Sequence, residues 1–127
     1  MKHDLIIKNV RVVRPGAASV EAGDIAISRE RFAKVGNLSA DEAKTVYDGK
    51  GLLAFPGVVD AHMHTGIYSP LAEDAVSGSR AAAQGGLTSS LNYFRTGQYY
   101  LNRGGPYRDF FPEVLKVSAG KFHVDYG

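Results

Sequence analysis

Cysteine is absent from the 127 residues, which excludes a disulfide framework and a thiolate metal site and leaves any metal to His, carboxylate or other oxygen ligands. Long apolar runs are absent too. The brief one in MKHDLIIKNVRVV is broken by Lys8 and Arg11 and lacks the extended apolar region and small-residue cleavage site of a signal peptide. No other segment approaches the roughly 18 uninterrupted apolar residues of a membrane span. Nor is charge of one sign concentrated: Lys+Arg 15 against Asp+Glu 13 gives a net +2, and the basic residues are scattered instead of forming a stripe that could track a phosphate backbone. These absences argue against nucleic acid and membrane as partners and make the cytoplasm the expected compartment. What is present, 44% hydrophobic and 22% charged residues, is the balance of a globular domain and not of a disordered chain.

Residues 4–13, DLIIKNVRVV, are rich in β-branched side chains and run into the turn signal Arg14-Pro15-Gly16, which predicts a strand. Alternation over 23–28 and again over 32–35, separated by polar Arg29-Glu30-Arg31, predicts a hairpin. Two short extended pieces follow at 45–48 and 52–54, around Gly49 and Gly51. Residues 1–54 thus read as a small all-β unit.

The pattern changes at Phe55-Pro56-Gly57, where the domain boundary is placed. Val58 to Ala61 is a compact apolar strand that ends in His62. Residues 72–84 are Ala-rich, with Ala75, Val76, Ser79, Ala82 and Ala83 on one helical face, Glu73 and Asp74 where a helix dipole favours acids, and Gly85-Gly86 as the stop. Leu87 to Phe94 reads as a strand and 96–107 as a Gly- and Tyr-rich loop. A second helix is predicted over 108–121, with Phe110, Phe111, Val114, Leu115 and Ser118 on one face and Pro112 in its first turn. Lys121 to Tyr126 reads as a third strand. Strand, helix, strand, helix, strand is the order of parallel βα units, so the fold class is α/β.

The chemistry gathers in Pro56-Gly57-Val58-Val59-Asp60-Ala61-His62-Met63-His64. Side chains at i and i+2 of an extended strand share a side, so His62 and His64 can offer two imidazoles to one cation while Met63 points away. Asp60 has the same parity and is a candidate to orient a ligating His or approach the metal. A bare His-x-His is a common chance pattern, but this one ends an apolar strand that opens a βα series. In a parallel βα barrel the active site lies at that end of the strands.

The PGVVDAHMH segment resembles the first metal-binding motif of the amidohydrolase superfamily. The leader DLIIKNVRVV with GDIAIS and FAKVG, and the later AAAQGGLTSSLNYF and KFHVDYG, are similar to its cyclic-amide branch, best to the dihydropyrimidinase and hydantoinase group, with allantoinase and dihydroorotase close. The resemblance implies an N-terminal part of a small β-sandwich over 1–54, followed over 55–127 by the first strands and helices of a (β/α)8 barrel, incomplete. It implies a divalent metal, zinc by abundance with manganese or iron also suited, held by His62 and His64 in a two-metal centre whose hydroxide opens a small cyclic amide, in an enzyme usually homo-oligomeric.

The other ligands of that centre, a carboxylated Lys, two further His and an Asp base, belong to later strands, so no catalytic residue is assigned and the chain reads as an inactive fragment of the whole. Such a fragment is expected to expose a sheet edge and apolar helix faces. Lys116 and Lys121 are not placed as the bridging Lys; His3 and His123 read as structural. Asn92, near the end of the second strand, is a candidate to line the pocket or bond the turn after the His pair, and Thr65-Gly66 reads as that turn. Tyr93, Phe94, Tyr99, Tyr100 and Tyr107 could contact substrate or cover a core. Two other readings compete: a non-catalytic relative retained for assembly, and a single-metal deaminase or imidazolone hydrolase.

Overall fold

The computed structural model describes residues 2–93 and 105–127, and the chain divides into two units, Met1–Pro56 and Gly57–Gly127. In the first unit β1 (His3–Val12), β2 (Glu21–Ser28), β3 (Arg31–Gly36) and β4 (Ala43–Asp48) form one sheet in the order β3-β2-β1-β4, and β5 (Leu53–Ala54) pairs with the end of β1. β2 runs antiparallel to β1 and β3, whereas β4 and β5 run parallel to β1. The expected hairpin turns at Arg29 and Glu30, both at positive φ (49° and 62°), as tight hairpins require. The Arg29 N–H donates to Asp4 Oδ2 at 2.8 Å and so ties the turn back to β1.

A bulge at Asn9 (φ 54°) breaks the β1–β2 register between Ile7 and Val10. One extra residue sends the side chains beyond it to the opposite face. Ile6 therefore packs with Ala26, Leu38 and Ala43 on one side, while Val10 and Val12 join Ile7, Ile25, Ile27 and Ala54 on the other. Buried Asp24 secures the bulge, accepting from the backbone N–H of Asn9 at 2.9 Å, that of Leu38 at 3.0 Å and Lys8 Nζ at 3.0 Å. Lys8 Nζ also donates to the Leu38 carbonyl. Burial raises the Asp24 carboxyl, but these donors together outweigh it and hold the group below the ordinary Asp value. The unit supplies a single sheet; the second layer of a sandwich is not formed among the described residues.

The second unit follows the expected order: β6 (Val58–His64), α1 (Leu71–Gln84), β7 (Leu87–Tyr93), α2 (Tyr107–Ser118) and β8 (Asp125–Tyr126), with a parallel sheet β6-β7-β8. α1 ends as predicted, where the Gly85 N–H bonds to the carbonyls of Ala81 and Ala82 and Gly86 adopts φ 91°. It buries Leu71, Ala75 and Ser79, a narrower stripe than predicted, since Ala83 is exposed. Leu71 packs with Phe110 and Val114 of α2, flanked by Val117; Phe111 and Leu115, expected on that face, are exposed.

Two local expectations are corrected. α2 starts at Tyr107, so Pro112 is its sixth residue, past the first turn, and forgoes an intrahelical hydrogen bond there. The third strand begins at Asp125 and not at Lys121, because Gly120 turns at φ 68° and the His123 N–H is held by buried Ser79 Oγ at 2.9 Å. Three parallel strands do not close a barrel, and Val58, Val59 and Leu91 stand more than half exposed on this sheet. Among the described residues no helix is long and apolar enough to cross a membrane.

Candidate metal centre

β6 carries the His pair at its C-terminal end, but it is not a regular strand there. Register with β7 slips between Asp60 and Met63, placing Asp60 opposite Ser90, Met63 opposite Asn92 and His64 opposite Tyr93. The extra residue falls at Ala61-His62. Parity therefore does not carry through from Asp60 to His64 as expected, and the Asp60 carboxylate instead accepts the His62 backbone N–H at 2.9 Å. Asp60 fixes the bulge; its hydrogen bond goes to the His62 backbone, and neither imidazole bonds to it among the described residues.

His62 and His64, two residues apart at the strand end, present their imidazoles to each other. His62 Nε2 and His64 Nε2 lie 3.0 Å apart, with ring centroids at 5.0 Å. Nitrogens at that spacing can both reach one cation at the Zn–N bond length of about 2.0–2.1 Å, so the pair fits a divalent metal. Both rings are exposed. Met63 is turned to the other side, its methyl beside Gly78 of α1. Among the described residues no group of three or more His, Asp or Glu side chains is assembled to hold a metal.

Asn92 bonds the turn after the His pair, one of the two roles expected of it. Thr65, 1% exposed, donates its hydroxyl to Asn92 Oδ1 at 2.7 Å, and Asn92 Nδ2 donates to Ser90 Oγ at 3.1 Å. Next in the chain, the Gly66 N–H donates to Asp74 Oδ2 at 2.7 Å. Asp74, read from sequence only as a dipole-favoured acid, is thus an anchor of the turn that follows the His pair. An acid in the first helical turn shortly after a Thr-Gly pair was the available signal.

Gly66 has φ 75°, and a Cβ there would sit 3.0 Å from Leu71 Cβ. Gly66→Ala is expected to lower stability by about 1–3 kcal/mol through left-handed strain and crowding of Leu71. Thermal denaturation of both chains measures it; an unchanged midpoint would show that the turn relaxes freely.

His123 lies ahead of β8, at the end of the sheet away from the His pair, and His3 Nδ1 bonds Ser28 Oγ at 2.8 Å. His3, read as structural, is thereby tied to β2, and His123, read the same way, is held through its backbone N–H by Ser79 Oγ. Lys116 is exposed on α2 and Lys121 is in the turn beyond it. Tyr107 packs against Phe110 within α2, their rings tilted by 39° at 5.4 Å. Phe94, Tyr99 and Tyr100 lie outside the described residues. Tyr93 is different, because its ring meets both imidazoles, at 5.4 Å from His62 and 5.1 Å from His64.

No family model matches the chain. It is 43% identical over 94 residues to an allantoinase of Salmonella choleraesuis strain SC-B67, covering 72% of this chain and 20% of that one. A crystal structure of a D-hydantoinase superposes with a TM-score of 0.73 at 30% identity, over 96% of this chain and 26% of the other. An N-acyl-D-glutamate deacylase from Bordetella bronchiseptica, solved with zinc and a phosphonate inhibitor, has the same fold at 24% identity and a TM-score of 0.61, over 72% of this chain and 19% of the other. The chain spans about one fifth of the length of the curated relatives it matches.

Proposed function

We propose that this chain, which belongs to the cyclic-amide branch of the amidohydrolase superfamily, supplies the first metal ligands of a hydrolase that opens a small ring amide such as allantoin, a hydantoin or a dihydropyrimidine. The observation that carries the reading is the convergence of His62 Nε2 and His64 Nε2 to 3.0 Å at the C-terminal end of a parallel strand. That end is where barrels of this construction place their sites.

In this reading the two imidazoles would hold a divalent cation through Nε2; zinc is first by supply, and manganese or iron suits the same donors. The chemistry such a cation would supply is Lewis acidity, which lowers the pKa of water to about 7 and polarises a carbonyl. The chain's own part is to present those nitrogens without delay. Asp60 locks the backbone of His62, and Thr65 and Asp74 lock the turn after His64, so little freedom remains to be lost on binding. The further ligands of such a centre are not assigned to residues of this chain.

The test is made on a polypeptide of the length of the allantoinase relatives. Metal analysis is expected to find about two divalent ions per chain, and ring opening of allantoin, hydantoin or dihydrouracil should vanish on chelation and return with zinc or manganese. Protein that cannot be loaded with metal would favour the assembly reading, and one ion with deamination the single-metal branch.

A further inference from the structure

We propose that Tyr93 is a positioning residue of the metal site: its ring holds the imidazoles of His62 and His64 converged and favours their cation-bound state. The inference rests on the reading of the His pair as metal ligands. Tyr93 closes β7 directly opposite His64 in the strand register. Its ring lies 5.4 Å from His62 at an interplanar angle of 16°, and 5.1 Å from His64 at 39°. With the imidazoles themselves 5.0 Å apart, the three rings form a closed triangle of contacts.

A ligating His is ordinarily fixed by a hydrogen bond from its other ring nitrogen to a carboxylate or carbonyl. Here the side chains of His62 and His64 hydrogen bond only to each other among the described residues, and the Asp60 carboxylate accepts from the His62 backbone. What restrains ring rotation is the aromatic contact. A dication bound at both Nε2 atoms withdraws charge from both imidazoles, and the electron-rich face of a phenol ring attracts such rings more strongly than neutral ones. The stack therefore gains strength in the loaded state, which makes it a determinant of affinity as well as of packing. It also commits one face of Tyr93 to the ligands, so that face is not open to a planar substrate.

The measurement is zinc affinity of the 127-residue chain by competition with a chromophoric chelator, alongside the imidazole proton and nitrogen resonances of His62 and His64. Tyr93→Phe should bind as the parent does. Tyr93→Ala and Tyr93→Leu should both bind about 3- to 10-fold more weakly, the scale of an exposed cation–π contact or a modest outer-shell loss, with the two His resonances broadened or dispersed. Leu keeps apolar bulk, so its agreement with Ala separates the ring's electronic role from a folding defect. Parent-like affinity in Tyr93→Leu, or loss in Tyr93→Phe equal to that in Tyr93→Ala, overturns the proposal. If zinc binding is abolished by His62→Ala yet indifferent to every Tyr93 variant, only this inference fails; if the parent chain binds no zinc through its His pair, the metal reading fails with it.

Discussion

Zinc affinity is expected to fall more than about 100-fold when His64 is replaced by Ala, since losing even an outer-shell partner of a metal costs about 10–100-fold and His64 is read as a direct ligand. His62→Ala should do the same, and the double variant should be little worse than either, because one imidazole cannot chelate alone. The folded state should be nearly untouched. Both rings are exposed, and the hydrogen bond lost is the one between them. Chelator competition combined with circular dichroism tests this: equal affinity in parent and variants would remove the metal reading outright, while a collapsed spectrum would show that the pair is structural. In a polypeptide of the relatives' length the same substitutions should abolish ring opening at ambient metal and allow partial return only at high zinc.

The placement of that pair was legible in the sequence because it depends on two short-range rules, strand periodicity and the βα order that follows Gly57. What could not be read was the bulge at Ala61-His62. Alternation assumes a regular pleat, and the residue that breaks it is recognisable only once β7 supplies a register to compare with. Asp60 was for that reason read by parity as a candidate to orient a ligating His or approach the metal, whereas the hydrogen bond its carboxylate accepts comes from the His62 backbone N–H. Asn9 is a second instance: nothing in DLIIKNVRVV marks a bulge, yet it decides which of Ile6 and Val10 packs on which face.

Helix positions fared unevenly for a related reason. The 3.6-residue period picked Phe110 and Val114 correctly, but it also enlisted Phe111 and Leu115, which would need a second packing surface to be buried. Tyr93 was visible only as one of several aromatics. Its contact with the His pair follows from β7 lying parallel to β6 with their C-terminal ends side by side, a tertiary fact.

The largest stability effect is expected at Asp24, whose carboxylate gathers the Asn9 N–H and Lys8 Nζ from β1 and the Leu38 N–H from the segment after β3. Asp24→Ala would take the acceptor from the Asn9 and Leu38 N–H groups and the counter-ion from a partly buried ammonium, which among the described residues keeps only its bond to the Leu38 carbonyl. Breaking a fully buried ion pair costs about 3–5 kcal/mol; Lys8 keeps 26% side-chain exposure, so water offsets part of the loss and about 2–4 kcal/mol is expected. The pH dependence has a definite sign. The folded carboxyl lies below its ordinary value of 3.8, so its stabilisation is complete above that value and is lost as pH falls through the lower folded one. Asp4 and Asp48 are also lowered, Asp4 chiefly by its hydrogen bond from Lys44 and Asp48 by the Lys50 N–H, but they are exposed and screened by solvent. Urea unfolding of parent and Asp24→Asn between pH 3 and pH 7 should therefore give curves that converge on the acid side, the variant having the shallower acid slope but not a flat one. Parallel curves at every pH would show that the neutral amide satisfies the same donors, and that the bulge at Asn9 is held by geometry without need of the charge.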